Sequence, residues 1–155
     1  MNVYVGIDPG KTAGALAALN DNAEVLLIQE VSKVTLKGKT DALASLQNIG
    51  RVVAVLEKVW AGPSMGASAA FKFGQEYGQW EAALTALKIP YELSTAQNWQ
   101  KTFGLIVKGR GLGQGDTEKK RRNRQKAESL FPEVKMTNAK ADALLIAEHC
   151  RRVNG

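Results

Sequence analysis

Three acids sit where an acid is expensive. Asp8 follows the apolar, β-branched and aromatic residues Val3, Tyr4, Val5 and Ile7 and opens onto a Pro9-Gly10 turn. Glu57 ends the continuous apolar run Arg51-Val52-Val53-Ala54-Val55-Leu56. Asp142 is embedded in Ala141-Asp142-Ala143-Leu144-Leu145-Ile146-Ala147. A carboxylate in such surroundings must be hydrogen-bonded or face a cation. Taken singly, each acid suits a turn or a helix cap. Taken together, hard oxygen ligands suit Mg²⁺ or Mn²⁺ and not zinc. Two such ions about 3.5–4 Å apart can activate water and stabilise a leaving oxygen in phosphodiester cleavage.

The charge distribution points the same way. The chain has 155 residues and a formal net charge of +6. Between residues 101 and 126 stand Lys101, Lys108, Arg110, Lys119, Lys120, Arg121, Arg122, Arg124 and Lys126, against only Asp116 and Glu118. This segment therefore carries the whole excess. A basic patch of this kind implies a polyanion, most simply nucleic acid, although a solvated helix face would show the same residues. The single cysteine, Cys150, cannot form an internal disulfide, and no Cys/His cluster spells zinc. No apolar run approaches the about 18 residues of a membrane span, and no signal peptide opens the sequence. The expectation is one domain over residues 1–155, in the cytoplasm.

The elements that must place the acids follow from periodicity. Strands are expected at residues 3–7, 13–19 and 24–31, joined by tight turns into an antiparallel meander. Residues 33–39 read as a polar loop, and 40–49 as a short helix with Leu43, Leu46 and Ile49 on one side. Residues 51–56 have the pattern of a central strand buried on both faces. A long helix is expected over 66–87, because Phe73, Tyr77, Trp80, Leu84 and Leu87 form one stripe. Gly66, Ala70, Gly74 and Gly78 form a second row of small residues, suited to close packing on the sheet or to a dimer seam. Residues 89–93 read as a strand and 95–103 as one or two helical turns. A glycine-rich basic loop is expected at 108–115, then helices at 116–130 and 139–153. The order predicts an α/β fold: a five-stranded mixed sheet, three strands antiparallel and then two parallel, flanked by helices. If the strands ending at Asp8 and Glu57 are neighbours, both carboxylates leave the same sheet edge.

Gly6-Ile7-Asp8-Pro9-Gly10-Lys11-Thr12 imitates an ATP-binding P-loop. That motif has four residues between its glycines and opens onto a helix; here there are three, and a strand follows. A phosphate-binding turn of the actin and sugar-kinase type, in which a strand also ends at an aspartate, remains as an alternative from another class: an actin-like nucleotide-binding lobe.

The segments GIDPG at 6–10, LEKVW at 56–60 and ADALLIA at 141–147 together resemble the RuvC family of Holliday-junction resolvases, which have the RNase H-like fold. The stretch around Tyr77 to Trp80, Ile89-Pro90 and Gln97-Asn98-Trp99-Gln100-Lys101 is most similar to the phage branch. The resemblance spans nearly the whole chain. It implies a homodimeric, metal-dependent endonuclease that cuts branched DNA with two Mg²⁺ or Mn²⁺ ions per site, each subunit nicking one strand of a four-way junction. It also implies that Asp8, Glu57 and Asp142 are the catalytic metal ligands. Trp60, three residues after Glu57, takes the place of an aromatic residue that wedges against bases, where stacking is worth about 1–3 kcal/mol per base. Lys119, Lys120, Arg121, Arg122 and Arg124 would grip phosphates without reading sequence. Lys101, Lys108 and Arg110 border the glycine-rich loop and could move onto DNA, and Lys58 could reach the scissile phosphate.

One position departs from the family pattern. A fourth carboxylate usually stands three or four residues before the helix aspartate, where this chain has Ala139 and Asn138. Asn138 lies one helical turn from Asp142. Three explanations fit: ligation through the amide oxygen, a fourth ligand placed elsewhere, or an inactivating Asp-to-Asn change that leaves a junction-binding protein with impaired cleavage. Glu148 is a poor substitute, since six residues along an ideal helix turn it about 120° away from Asp142. His149, the sole histidine, is expected to be structural or solvent-facing and not a catalytic base.

Overall fold

A computed structural model describes residues 1–10, 13–106 and 115–155. Lys11 and Thr12 of the P-loop look-alike, and most of the glycine-rich loop with Lys108 and Arg110, lie outside the described residues. The strands are β1 (Asn2–Asp8), β2 (Ala15–Leu19), β3 (Val25–Glu30), β4 (Arg51–Glu57) and β5 (Tyr91–Ser94). They form one sheet in the order β3-β2-β1-β4-β5. β1 pairs antiparallel with β2, and β2 with β3, while β4 and β5 run parallel to β1. This is the mixed sheet expected from the sequence.

The alternation within β1 divides the core. Val3, Val5 and Ile7 point to one face, where Leu43 and Leu46 of α1 (Leu36–Gln47) and Trp80, Ala83 and Leu84 of α2 (Ala67–Ala86) cover them. Tyr4 belongs to the opposite face, with Val55 of β4 and the apolar side of α5 (Asn138–Asn154). Two further helices, α3 (Ala96–Thr102) and α4 (Asp116–Leu130), pack on α5. Residues 143–147 of α5 are fully buried, so the helix that carries Asp142 is itself a core element.

Gly6 sets how closely α5 lies on the sheet. A Cβ built on Gly6 would stand 2.2 Å from the Ala147 amide nitrogen and 2.4 Å from the Ala143 carbonyl oxygen. No side chain fits there, because the obstructing atoms are backbone.

Three sequence expectations are corrected. Helix α1 starts at Leu36 and not near residue 40, because Thr35 caps it, its Oγ1 accepting from the Gly38 N–H at 3.1 Å. Lys39, expected in a polar loop, is one of the most buried side chains: its Nζ donates to Glu76 Oε2 and Gln79 Oε1, both at 2.6 Å, and to the Val34 carbonyl. Ile49, expected on the α1 stripe, lies beyond the helix and is exposed. The α2 stripe behaves as expected, with Trp80 and Leu84 buried. The row of small residues does not pack on the sheet: a Cβ at Gly66, Gly74 or Gly78 would meet nothing within 4 Å among the described residues.

These glycines give opposite predictions. Gly6→Ala should cost about 3 kcal/mol, the upper end of overpacking costs, since the backbone of α5 must move. Gly74→Ala, in the open middle of a helix, should stabilise the monomer fold by about 0.5–1 kcal/mol. Urea denaturation at equal protein concentration measures both; a tolerated Gly6→Ala would contradict this packing.

Candidate active site

β1 and β4 are adjacent, parallel and in register at Ile7 and Leu56, so the next residue on each strand, Asp8 and Glu57, emerges at the same edge. Asp142 lies in the first turns of α5, just before Ala143–Ala147 crosses Gly6. The three carboxylates act on each other electrostatically. Burial, then the Asp142 charge, pushes the Asp8 carboxyl up to about 7, against a smaller opposing pull from the Gly10 N–H. Burial, then Asp8 and Asp142, pushes Glu57 up to about 8. Burial raises Asp142 to about 6, opposed by an Asn123 hydrogen bond and the Lys120 charge. Desolvation and mutual repulsion both disfavour the ionised forms.

Each acid is held differently. Asp8 Oδ1 accepts the Gly10 N–H at 3.1 Å, a turn hydrogen bond that occupies one of its two oxygens. Asp142 Oδ1 accepts from Asn123 Nδ2 at 3.1 Å. The buried Trp99 indole N–H pulls on Glu57, while Nε1 has no hydrogen-bond partner among the described residues. Among the described residues no three His, Cys, Asp or Glu side chains are drawn together tightly enough to form a ready-made ion cage. The donor set itself fits a hard divalent cation. It consists only of carboxylate oxygens, and Lys120 is the cation that acts on Asp142 among the described residues.

Asn138 opens α5 and is exposed, whereas Asp142 one turn later is largely enclosed. The polar side chain that contacts Asp142 is Asn123, which is buried on α4. Nothing in the sequence marked Asn123, because an asparagine within a run of Lys and Arg reads as solvent-facing. Trp99 was visible only as part of a motif. Glu148 is taken up by Arg151 and Arg152, each at 2.8 Å, and His149 Nδ1 lies 2.7 Å from Thr102 Oγ1, with burial lowering its pKa. Glu148 is thus held within its own helix, and His149 is buried rather than facing solvent.

The remaining sequence-selected residues lie around this edge. Trp60 is 71% exposed, which excludes a core role. With Glu57, Lys58, Val59, Phe73 and Ala96 it lines a cavity of about 240 Å³. Lys58, Lys101, Lys119 and Lys120 are exposed. Arg121 is paired with Glu118 at 2.6 Å, and Arg124 with Glu128 at 2.8 Å and with the Met136 carbonyl at 3.2 Å. Exposed pairs of this kind hold weakly and can be exchanged for a phosphate. Arg122 is half-buried.

A mixed sheet in this strand order, with acids at the ends of β1 and β4 and on the covering helix, defines an RNase H-like fold with a candidate metal-ligand edge. Among solved structures, Thermus thermophilus RuvC in complex with a Holliday junction substrate matches with a TM-score of 0.70 over 99% of this chain and 97% of that one, at 17% identity. A second Thermus thermophilus RuvC structure matches at TM-score 0.66 over 95% and 92%, at 16% identity. The chain therefore has the RuvC fold along nearly its whole length. No protein-family model and no curated protein matches the sequence.

The raised carboxyl pKa values make a stability prediction. In the unfolded chain these groups ionise near 4. Their folded pKa values are higher, so the stability linked to their protonated forms is complete below pH 4 and lost as pH rises through 6 to 8. In metal-free buffer, Asp8→Asn should match the parent protein at pH 4 and exceed its stability at pH 8 by at least about 1 kcal/mol. Urea titrations at the two pH values measure this, and equal stability at pH 8 would contradict it.

Proposed function

We propose that the protein is a structure-selective endonuclease that hydrolyses phosphodiesters in branched DNA, four-way junctions above all, as one nuclease domain over residues 1–155. The observation that carries this reading is the convergence of Asp8, Glu57 and Asp142 at one sheet edge of a RuvC fold. One of the matching Thermus RuvC structures is a complex with a Holliday junction substrate, and the basic helix α4 beside Asp142 supports the same partner here.

Asp8, Glu57 and Asp142 would hold Mg²⁺ or Mn²⁺ through carboxylate oxygens. Two such ions supply an activated water and stabilisation of the leaving oxygen. The protein's own contribution is positional. The Gly10 N–H fixes one oxygen of Asp8 and turns the other away from it, and Asn123 does the same for Asp142. Lys119 and Lys120 bring the strand's phosphates to the edge, and Trp60 offers a flat surface for an unstacked base. Two copies joined along the open small-residue row of α2, beside the exposed Phe71, would place two such edges on one junction. The phage-type stretches support a phage- or prophage-borne enzyme acting in a bacterial cytoplasm, and no described helix is long and apolar enough to cross a membrane.

A specific observation favours a second reading. Asn138 is neutral and exposed where the family has an acid, which suits a junction-binding protein with weak cleavage.

A labelled four-way junction with Mg²⁺ or Mn²⁺ separates the two. The first reading expects paired nicks, abolished by Asp8→Asn and reduced about 10–100-fold by Asn123→Ala, the usual effect of removing a group that orients a ligand. Binding without nicking, restored by Asn138→Asp, establishes the second. Absence of junction binding overturns both.

A further inference from the structure

A second cationic site lies across the Asp8 turn from α4, outside the basic segment that stands out in the sequence. A cavity of about 290 Å³ opens beside Pro9 and Gly10, walled by Ser32 and Lys33 on one side and by Lys72 and Glu76 of α2 on another. Among the described residues its one lining acid is already neutralised: Glu76 is paired at 2.6 Å with Lys39, whose side chain is fully buried and is fixed further by Gln79 and the Val34 carbonyl. Lys33 and Lys72 are exposed, and their side chains make no hydrogen bond or ion pair among the described residues. The cavity therefore presents two positive charges over a rigid, internally balanced floor.

The backbone adds an independent observation. Lys33 has φ +65°, in the left-handed region that favours glycine, and the turn is closed by the Val34 N–H on the Val31 carbonyl at 3.1 Å. A glycine would adopt this conformation with less strain. The lysine is held there by the turn and lines the cavity.

We propose that this cavity seats a phosphate of the DNA strand whose neighbouring linkage lies at the carboxylate edge, an inference that rests on the nuclease reading above. The placement selects this ligand. α4 supplies Lys120 on the Asp142 side of the edge, while the cavity begins at Pro9, next to Asp8, on the other side. A strand crossing the edge is thus gripped before and after the linkage to be cut. Two separated grips fix the direction of the strand, which one patch alone leaves free to pivot.

The test uses the full chain, Lys33→Gly, Lys72→Gln and the double variant, with a fluorescent four-way junction in EDTA over a salt series. Each substitution should lower the slope of log K against log salt by about one, and the double variant should bind about tenfold more weakly at moderate salt. The melting temperature of Lys33→Gly should be unchanged or raised, which separates lost contact from lost fold. A single neutral methylphosphonate is then moved along the strand. One position should weaken parent binding and have no further effect on the double variant. Unchanged salt slopes, or equal methylphosphonate penalties in both proteins, overturn the inference while leaving the nuclease reading intact. Failure of the parent protein to bind the junction at all overturns both.

Discussion

The structure depends on a helix backbone lying directly on a strand backbone. At Gly6 there is no room for even one carbon between β1 and α5. That contact brings the start of α5 down onto the end of β1, so that an acid from a helix meets two acids from strands. A few residues further along, the same helix is a fully buried core element. The geometry of the site is thus fixed by packing that tolerates little change, and not by bonds among the acids themselves. This close backbone contact and the position of the candidate site share one cause.

The consequence is an electrostatic conflict built into a stable core. Three carboxylates are desolvated together, and each raises the cost of ionising its neighbours. A protein selected only for stability would place apolar residues at these positions. The conflict has meaning if a cation and a phosphate join the site, because both then find charge already positioned for them. Elsewhere the chain resolves such conflicts internally. Glu148 has two arginines, and Lys39 has a carboxylate, an amide and a carbonyl. Among the described residues, the buried charges of the Asp8–Glu57–Asp142 edge lack a close ionic partner of this kind, which singles it out as the candidate site.

The sheet and its acids were legible in the sequence because they rest on local patterns. An apolar run that ends in an acid identifies a strand end, and parallel neighbours bring two such ends to one edge. Gly6, by contrast, was legible only as part of a motif; why it must be glycine follows from a contact with residues more than 130 positions away. Lys39 was misplaced for the same reason, since its partners Glu76 and Gln79 come from another helix. Asn123 was hidden by its neighbours: a buried amide among arginines has no periodic signature. The row of glycines on α2 allowed two packings, and only the fold shows that its own sheet does not use it. In each case the missing information was tertiary, not a weaker form of a local signal.

The central claim is that Asp8, Glu57 and Asp142 form a divalent-metal centre. Calorimetric titration of Mn²⁺ into the protein at pH 7, in two buffers of different ionisation enthalpy, tests it most directly. Carboxyls with pKa values raised to about 6–8 must give up protons when a cation binds. The account predicts Mn²⁺ binding with proton release, and loss of both in Asp8→Asn. Absence of Mn²⁺ binding by the parent protein, or binding that Asp8→Asn leaves unchanged, would contradict it.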